Sequence, residues 1–276
     1  MPKMLSKDQV TAYRERGYHF PIEALSASEV AGFRRKLEDY EAGSGGPIKA
    51  EMRHRSHVLF TWIDQMIRHP KILDAMEDLL GPNILCWNTS FFIKEAHDPG
   101  FVSWHQDATY WGLSSSDVAT AWIAMSPANK VSGCMKFIAG THQQQVQHED
   151  TFDQNNLLTR GQEIAVDVDE AKGGLCGIEA RPGFASSRAA VPRVGAEPLR
   201  RPPHRPRHPL HPDALEAGGR HAGLGDAGAR QGHLRPFPAF LCANDLESEA
   251  LAFHKEVSEE QVRVLYRGTD KSAYRA

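Results

Sequence analysis

Residues Trp104 to Gly112 read W-H-Q-D-A-T-Y-W-G, with a histidine and an aspartate separated by one residue. Successive side chains of a β-strand point to opposite faces, so His105 and Asp107 would share a face if they lie on a strand. An imidazole and a carboxylate, joined by a second histidine from elsewhere, make the facial triad that binds non-haem iron(II). We therefore predict that His105 and Asp107 project together from one strand and bind a metal ion.

The same short pattern also arises by chance, since the chain has 14 histidines and 35 acidic residues. A histidine two positions before an acid occurs at four places: His105–Asp107, His148–Asp150, His211–Asp213 and His254–Glu256. The surroundings of His148 and His254 are charged and polar, so we expect those two imidazoles to be solvated. The longer context of His105 sets it apart from the other three.

Helical patterns occupy the first third of the chain, and strand patterns follow them. Helices are predicted over residues 6–17, 26–40, 58–67, 70–80 and 244–257. Strands are predicted over residues 18–20, 83–94, 101–106, 119–125, 134–139 and 163–168. Helices followed by strands indicate an α+β domain whose strands pack as a sandwich or barrel.

Several segments resemble one family. The nine residues from Trp104 resemble the W-H-Q-D-x-x-Y-W-G motif of bacterial phytanoyl-CoA dioxygenase-like proteins. Ala121–Met125 resembles the A-W-x-A-x strand of these proteins, and Gly133–Met135 resembles their G-C-L/M turn. Gly140–His142 resembles the end of their P-G-T-H motif, with Ala139 in place of the usual proline. The resemblance, to non-haem iron, 2-oxoglutarate-dependent oxygenases, extends from about residue 5 to residue 172.

The resemblance implies a fold and a chemistry. The fold would be a double-stranded β-helix, a cupin-like jelly-roll barrel with the N-terminal helices packed outside. Fe(II) would be the cofactor, with 2-oxoglutarate and dioxygen as co-substrates. The reaction would hydroxylate an unactivated C–H bond of a small organic substrate, for which the family name suggests an acyl-CoA. A carboxylate at Asp107 favours hydroxylation, because halogenating members carry a small residue there.

The resemblance also suggests two binding residues. Trp122 matches a wall of the 2-oxoglutarate pocket, although an ordinary core position fits equally well. Lys94 matches a position near the mouth of the active site, and the alternative is a solvated lysine. The aromatic residues of the motif are open to the same two interpretations, site or core: Trp104, Tyr110 and Trp111.

Bulk properties limit the partners. The net charge of −3 argues against nucleic acid or an acidic membrane surface as the main partner. No apolar run approaches the roughly 20 residues that span a bilayer, and the N-terminus has no hydrophobic signal region. The four cysteines are far apart, which favours a reduced, cytoplasmic setting: Cys86, Cys134, Cys176 and Cys242. We expect no nucleic-acid or membrane partner, and the sequence does not indicate an oligomeric state.

Residues 173–237 differ in composition from the rest of the chain. They contain nine of the 17 prolines and ten arginines against five acids, and they lack Lys, Tyr, Trp, Met, Asn and Thr. The run R-R-P-P-H-R-P-R-H-P-L-H-P, residues 200–212, cannot form a central strand, because proline donates no ladder hydrogen bond. We expect little regular structure in this segment, and hence an incomplete barrel.

Our interpretation of this segment is translation of GC-rich coding sequence in the wrong frame. Read one base later, the segment can encode a string containing F-H-G and, eleven residues after its histidine, an arginine. In the family this histidine completes the metal triad, and the arginine binds the far carboxylate of 2-oxoglutarate. The histidine codon would straddle Pro192 and Arg193. Substitute ligands within the Pro/Arg run would be His204, His208 or His211.

We therefore predict one oxygenase domain over residues 1–276. Residues 1–172 would be family-like, residues 173–237 frame-shifted or disordered, and residues 238–276 a C-terminal helix and tail. Two other functions stay open. The chain could be catalytically inactive for want of a third iron ligand, or it could be an interaction protein that uses the Pro/Arg segment.

Overall fold

The computed structural model describes residues 2–94, 99–111, 117–129, 132–169, 173–175, 184–187, 192–194 and 242–271. The helices are α1 Lys7–Arg16, α2 Ala27–Ser44, α3 Ser56–Leu59, α4 Thr61–Ile67, α5 Pro70–Leu80 and α6 Ser248–Leu265. The strands are β1 Tyr18–Ile22, β2 Thr120–Ile123, β3 Met135–Phe137, β4 His148–Asp150, β5 Gln162–Ile164, β6 Gly174–Leu175, β7 Phe184–Ser187 and β8 Pro192–Val194. Short 3-10 helices lie at Ala50–Arg53, Asp107–Tyr110 and Thr141–Gln143.

Capping boxes begin the first two helices. Ser6 accepts the backbone N–H of Gln9, and the Gln9 side chain accepts the backbone N–H of Ser6. Ser26 and Glu29 make the same reciprocal pair at the start of α2. The hydroxyl and the backbone N–H of Ser26 hydrogen-bond to Glu29 and lower the pKa of its carboxyl to about 2. These local side-chain bonds satisfy amide groups that have no partner inside the helix, and they confirm the predicted starts.

The predicted helix over residues 58–67 is two helices separated at Phe60. Phe60 has an extended backbone, and both neighbouring residues bond to the segment before α6. The Leu59 carbonyl accepts the N–H of Leu246 at 2.8 Å. The N–H of Thr61 donates to the Asp245 carboxylate at 2.7 Å. The break is thus a tertiary effect, because its partners lie about 185 positions away.

The main core lies between the helices and β1. Its largest fully buried side chains are aromatic, with Trp62, Tyr13 and Phe60 each at most 2% exposed. α5 presents Ile72 and Met76 to this core from one face, at the spacing of a helical turn. Burial of such a side chain contributes roughly 1.5–3 kcal/mol, so this layer carries much of the folding free energy.

The strands form small antiparallel sheets. One sheet has the order β1-β7-β2 and another the order β6-β3-β8, while β4 and β5 form a separate pair. The predicted strands at 18–20, 119–125, 134–139 and 163–168 correspond to β1, β2, β3 and β5. β4 was not predicted. The α+β class is confirmed.

Two predicted strands are wrong. Residues 83–94 contain only an isolated bridge, between Ser90 and His54, because this segment bonds to the helical layer. The Phe91 N–H, for example, donates to the Arg53 carbonyl. Residues 101–106 contain only isolated bridges, at Phe101, which pairs with Asn156, and at Val102, so their backbone groups form no continuous ladder.

The segment 173–237 contains more regular structure than predicted. Its described residues include β6, β7 and β8, which pair with strands from the first part of the chain. β8 pairs with β3, with Arg193 opposite Lys136 and Pro192 opposite Phe137. Only two of the nine prolines precede residue 195, so the early part can pair, and Pro192 occupies the first position of its strand, where its missing N–H is tolerated. The Pro/Arg run at 200–212 lies outside the described residues.

α6 confirms the predicted C-terminal helix, although it starts four residues later and ends eight residues later than expected. It packs against α3 and places His254 and Gln261 in buried positions. The His254 Nε2 atom lies 2.8 Å from the His54 carbonyl, and Gln261 accepts from Arg55. Among the described helices, none is long and apolar enough to cross a membrane.

Candidate metal centre

His105 and Asp107 lie side by side. The Nε2 atom of His105 is 3.1 Å from Oδ1 of Asp107, and His105 is 6% exposed. The predicted proximity is confirmed, but the predicted shared strand is wrong. His105 has no regular secondary structure, and Asp107 begins the 3-10 helix. The backbone of this stretch bonds to separate partners: Trp104 accepts from Ile164, and Gln106 donates to a histidine ring.

Both ring nitrogens of His105 face oxygen acceptors. Nδ1 is 2.8 Å from the Ser103 carbonyl, and Nε2 faces the Asp107 carboxylate. A neutral imidazole carries one N–H, so it can donate to only one of these oxygens. With the N–H on Nε2, the ring donates to Asp107. With the N–H on Nδ1, it donates to the Ser103 carbonyl, and a cation between the Nε2 lone pair and the carboxylate would satisfy both. A proton satisfies this arrangement, and so does a divalent metal. An imidazole fixed through its other nitrogen is typical of metal-binding histidines.

The second oxygen of Asp107 also has a partner. Thr120 on β2 donates from its hydroxyl to Oδ2 of Asp107 at 3.1 Å. This bond leaves Oδ1 directed towards His105 and orients the carboxylate. The sequence reasoning missed Thr120, although its position two residues before Trp122 on a predicted strand was a usable signal.

Gln106, between the two candidate ligands, is held through its whole amide group. Its Nε2 donates to the carbonyls of Thr141 and Gln144, each at 2.9 Å, and its Oε1 accepts from the N–H of Val146 at 2.9 Å. Gln106 is 4% exposed. The segment after the G-T-H motif therefore fixes the centre of the H-Q-D sequence.

The expectation that His148 and His254 are solvated is wrong, since they are 8% and 6% exposed. The charged neighbours in the sequence suggested exposure, but β4 and α6 each bury one face, and the histidines lie on the buried faces. Burial lowers the pKa of both imidazoles. His148 lies against the candidate site, where its Nε2 is 2.8 Å from the backbone nitrogen of Gln106.

Trp122 and Thr120 lie on the same face of β2, because they are two residues apart on one strand. Trp122 is half-buried and packs against Ala124, Ala128 and Cys134. This contact fits an ordinary core position, and its assigned place beside 2-oxoglutarate stays a prediction. Lys94 is half-buried. No described contact brings Lys94 to His105 or Asp107, so its binding role also stays a prediction.

The aromatic residues of the motif connect it to the rest of the protein. Trp104 is 8% exposed, whereas Tyr110 and Trp111 are half-buried and pack against the end of α6. Trp111 stacks on Trp87 with ring centroids 4.6 Å apart. Burial, and then the nearby carboxylate of Asp150, raise the pKa of the Tyr110 phenol. These contacts fit the core interpretation of the three aromatic residues.

A third protein ligand is not found within the described part of the chain, which contains no group of three His, Cys, Asp or Glu side chains able to hold a metal. The substitutes proposed from sequence, His204, His208 and His211, lie outside the described residues. The two ligands that are described, an imidazole and a carboxylate, have the donor chemistry of an iron(II) site.

Comparison with known families decides the affiliation. The family described as Phytanoyl-CoA dioxygenase (PhyH) matches residues 4–183, more than half of the chain. The chain belongs to the phytanoyl-CoA dioxygenase family. The match includes the W-H-Q-D motif and confirms the predicted membership. It continues eleven residues past residue 172, where the resemblance in sequence was expected to end.

The curated relatives of this phytanoyl-CoA dioxygenase family member are distant. A probable alpha-ketoglutarate-dependent hypophosphite dioxygenase of Stutzerimonas stutzeri is 25% identical over 169 residues, covering 55% of this chain and 57% of the relative. The peroxisomal phytanoyl-CoA dioxygenase of Bos taurus is 26% identical over 171 residues, covering 53% and 50%. The ectoine dioxygenase of Bordetella parapertussis is 25% identical over 162 residues, covering 51% and 50%. The chain thus spans about half the length of the curated relatives it matches.

Solved structures confirm the fold. The apo form of the non-heme monooxygenase ThoJ has a TM-score of 0.70 at 24% identity, covering 93% of this chain and 99% of ThoJ. The alpha ketoglutarate dependent carbocyclase SnoK from nogalamycin biosynthesis has a TM-score of 0.53 at 22% identity, covering 68% and 77%. The family member therefore has the double-stranded β-helix fold, with a partial set of barrel strands among its described residues.

Proposed function

We propose that this protein is an Fe(II)- and 2-oxoglutarate-dependent dioxygenase that hydroxylates a C–H bond of a small organic molecule. The observation that carries the proposal is the placement of His105 Nε2 3.1 Å from Asp107 Oδ1, with both ring nitrogens of a buried imidazole facing oxygen. A divalent cation between Nε2 and the carboxylate fits that arrangement, and the W-H-Q-D motif favours iron(II).

His105 and Asp107 would hold the iron, and the third ligand would be the F-H-G histidine that residues 173–237 encode in the restored reading frame. Bound iron would supply the activation of dioxygen that side chains alone do not provide. The overall reaction balances as substrate, dioxygen and 2-oxoglutarate giving hydroxylated substrate, carbon dioxide and succinate. The protein's own part is to orient the ligands: Ser103 fixes the His105 ring, and Thr120 fixes the Asp107 carboxylate.

The substrate class stays broad. The relatives are described as acting on molecules as different as hypophosphite, ectoine and L-proline, and the family name adds acyl-CoA thioesters as a candidate. We also propose a cytoplasmic location. The support for it is the wide spacing of the four cysteines in the sequence, which suits a reducing compartment.

The proposal is tested on the form with the reading frame of residues 173–237 restored, by anaerobic titration with Fe(II) followed by measurement of succinate release from 2-oxoglutarate in air. His105→Ala and Asp107→Ala should each abolish iron binding. His254→Gln alters a buried histidine far from the motif in sequence and should leave binding unchanged. Iron binding that persists at full affinity in both ligand variants would refute the assignment of the site.

A further inference from the structure

His148 and Gln106 are joined by a buried hydrogen bond that the metal motif alone does not explain. The Gln106 backbone nitrogen is 2.8 Å from His148 Nε2. A backbone N–H can only donate, so Nε2 must accept, and the ring proton must be on Nδ1. That proton has an acceptor, the Val146 carbonyl, 3.0 Å from Nδ1. The two contacts define one neutral tautomer.

The tautomer excludes one role for His148, that of a metal ligand. The Nε2 lone pair already accepts from Gln106, so it is not available to a metal ion in this arrangement. His148 therefore resembles a metal-binding histidine in sequence without being placed as one. Asp150, the acid two residues after His148, forms an ion pair with Arg160.

The backbone N–H that donates to His148 belongs to the residue between the two candidate metal ligands. Gln106 is between His105 and Asp107 in sequence, and its side chain is already fixed by Thr141, Gln144 and Val146. Those bonds hold the side chain, whereas the bond from His148 holds the peptide unit that joins His105 to Gln106. Rotation of that peptide would move the imidazole away from the carboxylate. The Tyr110 ring packs nearly perpendicular to the His148 ring, with ring centroids 5.9 Å apart.

We propose that His148 is a positioning residue for the metal centre, which fixes the His105–Gln106 peptide through its Nε2 acceptor and so sets the spacing of His105 and Asp107. The link between His148 and catalysis rests on the proposed function. The hydrogen bond and its effect on the motif can be tested without metal. Partners that orient metal ligands typically change metal affinity by 10–100-fold when they are removed.

The test compares three variants of the full chain. His148→Phe fills the space but removes the acceptor. His148→Gln places an amide oxygen near the position of Nε2 and should restore the contact. His254→Phe is the matched control, because His254 is also a buried histidine whose ring contacts a backbone group, the His54 carbonyl.

Two measurements are made on each variant. Hydrogen exchange reports the Gln106 amide without metal, and titration with Co(II), as a spectroscopic substitute for iron, reports affinity. We expect His148→Phe to speed exchange of the Gln106 amide and weaken Co(II) binding, each by about tenfold or more. His148→Gln should stay within about threefold of wild type, and His254→Phe should change neither quantity beyond its general loss of stability.

The outcomes separate the inference from the proposed function. Unchanged Gln106 exchange in His148→Phe would overturn the inference, and so would a loss of Co(II) affinity without any change in exchange, which would make His148 a ligand. Equal effects of His148→Phe and His254→Phe on both measurements would mean that His148 contributes only to stability, and would also overturn the inference. If wild type binds no Co(II), the proposed function fails for this chain. The inference is then decided by the exchange data alone.

Discussion

Thr120 and Asp107 are joined by a hydrogen bond of 3.1 Å from the threonine hydroxyl to the Oδ2 atom of the carboxylate. The bond connects β2 to the first residue of the 3-10 helix that follows the metal motif. It leaves Oδ1 of Asp107 facing His105. A side chain outside the W-H-Q-D motif thus controls the direction of a candidate ligand.

Replacing Thr120 by valine should therefore weaken metal binding. Thr120→Val keeps the shape and removes the donor, so we expect the affinity for Fe(II) or Co(II) to fall roughly tenfold. Thr61→Val is a matched control, because the Thr61 hydroxyl donates to the carboxylate of Asp245 away from the site. Calorimetric titration of both variants measures the difference. Equal affinities of Thr120→Val and wild type would show that Thr120 does not orient Asp107.

Arg160 should contribute strongly to stability. Its guanidinium pairs with Asp150, donates to the Leu265 carbonyl at the end of α6, and lies 4.9 Å from the centre of the Tyr110 ring. Arg160→Met leaves the largely buried Asp150 carboxylate without its cation, so we expect the free energy of unfolding to fall by about 3 kcal/mol. Chemical denaturation measures this change.

Three further variants define the origin of that loss: Asp150→Asn, its combination with Arg160→Met, and Arg34→Met. Asp150→Asn combined with Arg160→Met should cost less than the sum of the single changes, because the two side chains interact directly. Arg34→Met, which breaks the exposed pair of Arg34 with Glu38, should cost less than about 1 kcal/mol. A strictly additive double mutant would contradict the proposed coupling between Arg160 and Asp150.

Stability should depend on pH through His54. Burial, followed by the positive charges of His254, Arg53 and Arg55, lowers the pKa of His54 to about 4 from 6.5. The unfolded chain therefore binds more protons than the folded protein between these values, and the free energy of unfolding falls as pH decreases through this window. His54→Gln should flatten the dependence by about 1–2 kcal/mol between pH 7 and pH 4.5. Denaturation curves at several pH values measure the slope, and an unchanged slope in the variant would contradict the prediction.

The frame interpretation predicts a difference in activity between two forms of the protein. The chain as written should release no succinate from 2-oxoglutarate, because the F-H-G histidine and the following arginine are missing from it. An arginine binds a carboxylate in a bidentate geometry that a lysine or water does not reproduce. A form with the reading frame of residues 173–237 restored should release succinate.

The assay for that prediction is anaerobic iron loading followed by succinate measurement on both forms. Equal succinate release would contradict the frame interpretation and would point to a ligand among His204, His208 and His211. Sequencing of the gene gives an independent check, because the interpretation requires one frame-changing indel near residue 173 and a compensating indel near residue 237.

The sequence determined the local features of this protein. The capping residues Ser6 and Ser26, and the strands around Thr120 and Met135, follow from side chains within a few positions of each element. The candidate ligands follow from one nine-residue motif, and the family follows from that motif together with the segments at 121–125, 133–135 and 140–142. These predictions succeeded because each depends on short-range hydrogen bonds, on hydrophobic spacing, or on a chemical pair that is adjacent in the chain.

The way in which the site is held together depends on tertiary contacts. The helix break at Phe60 depends on Asp245 and Leu246, and the buried state of His148 depends on its contact with Gln106. Thr120 acquires its role only when β2 lies beside Asp107. A charged stretch predicts exposure from composition, but burial is set by which surfaces meet. Contacts between residues distant in sequence are absent from local patterns, because they form only when the chain has folded.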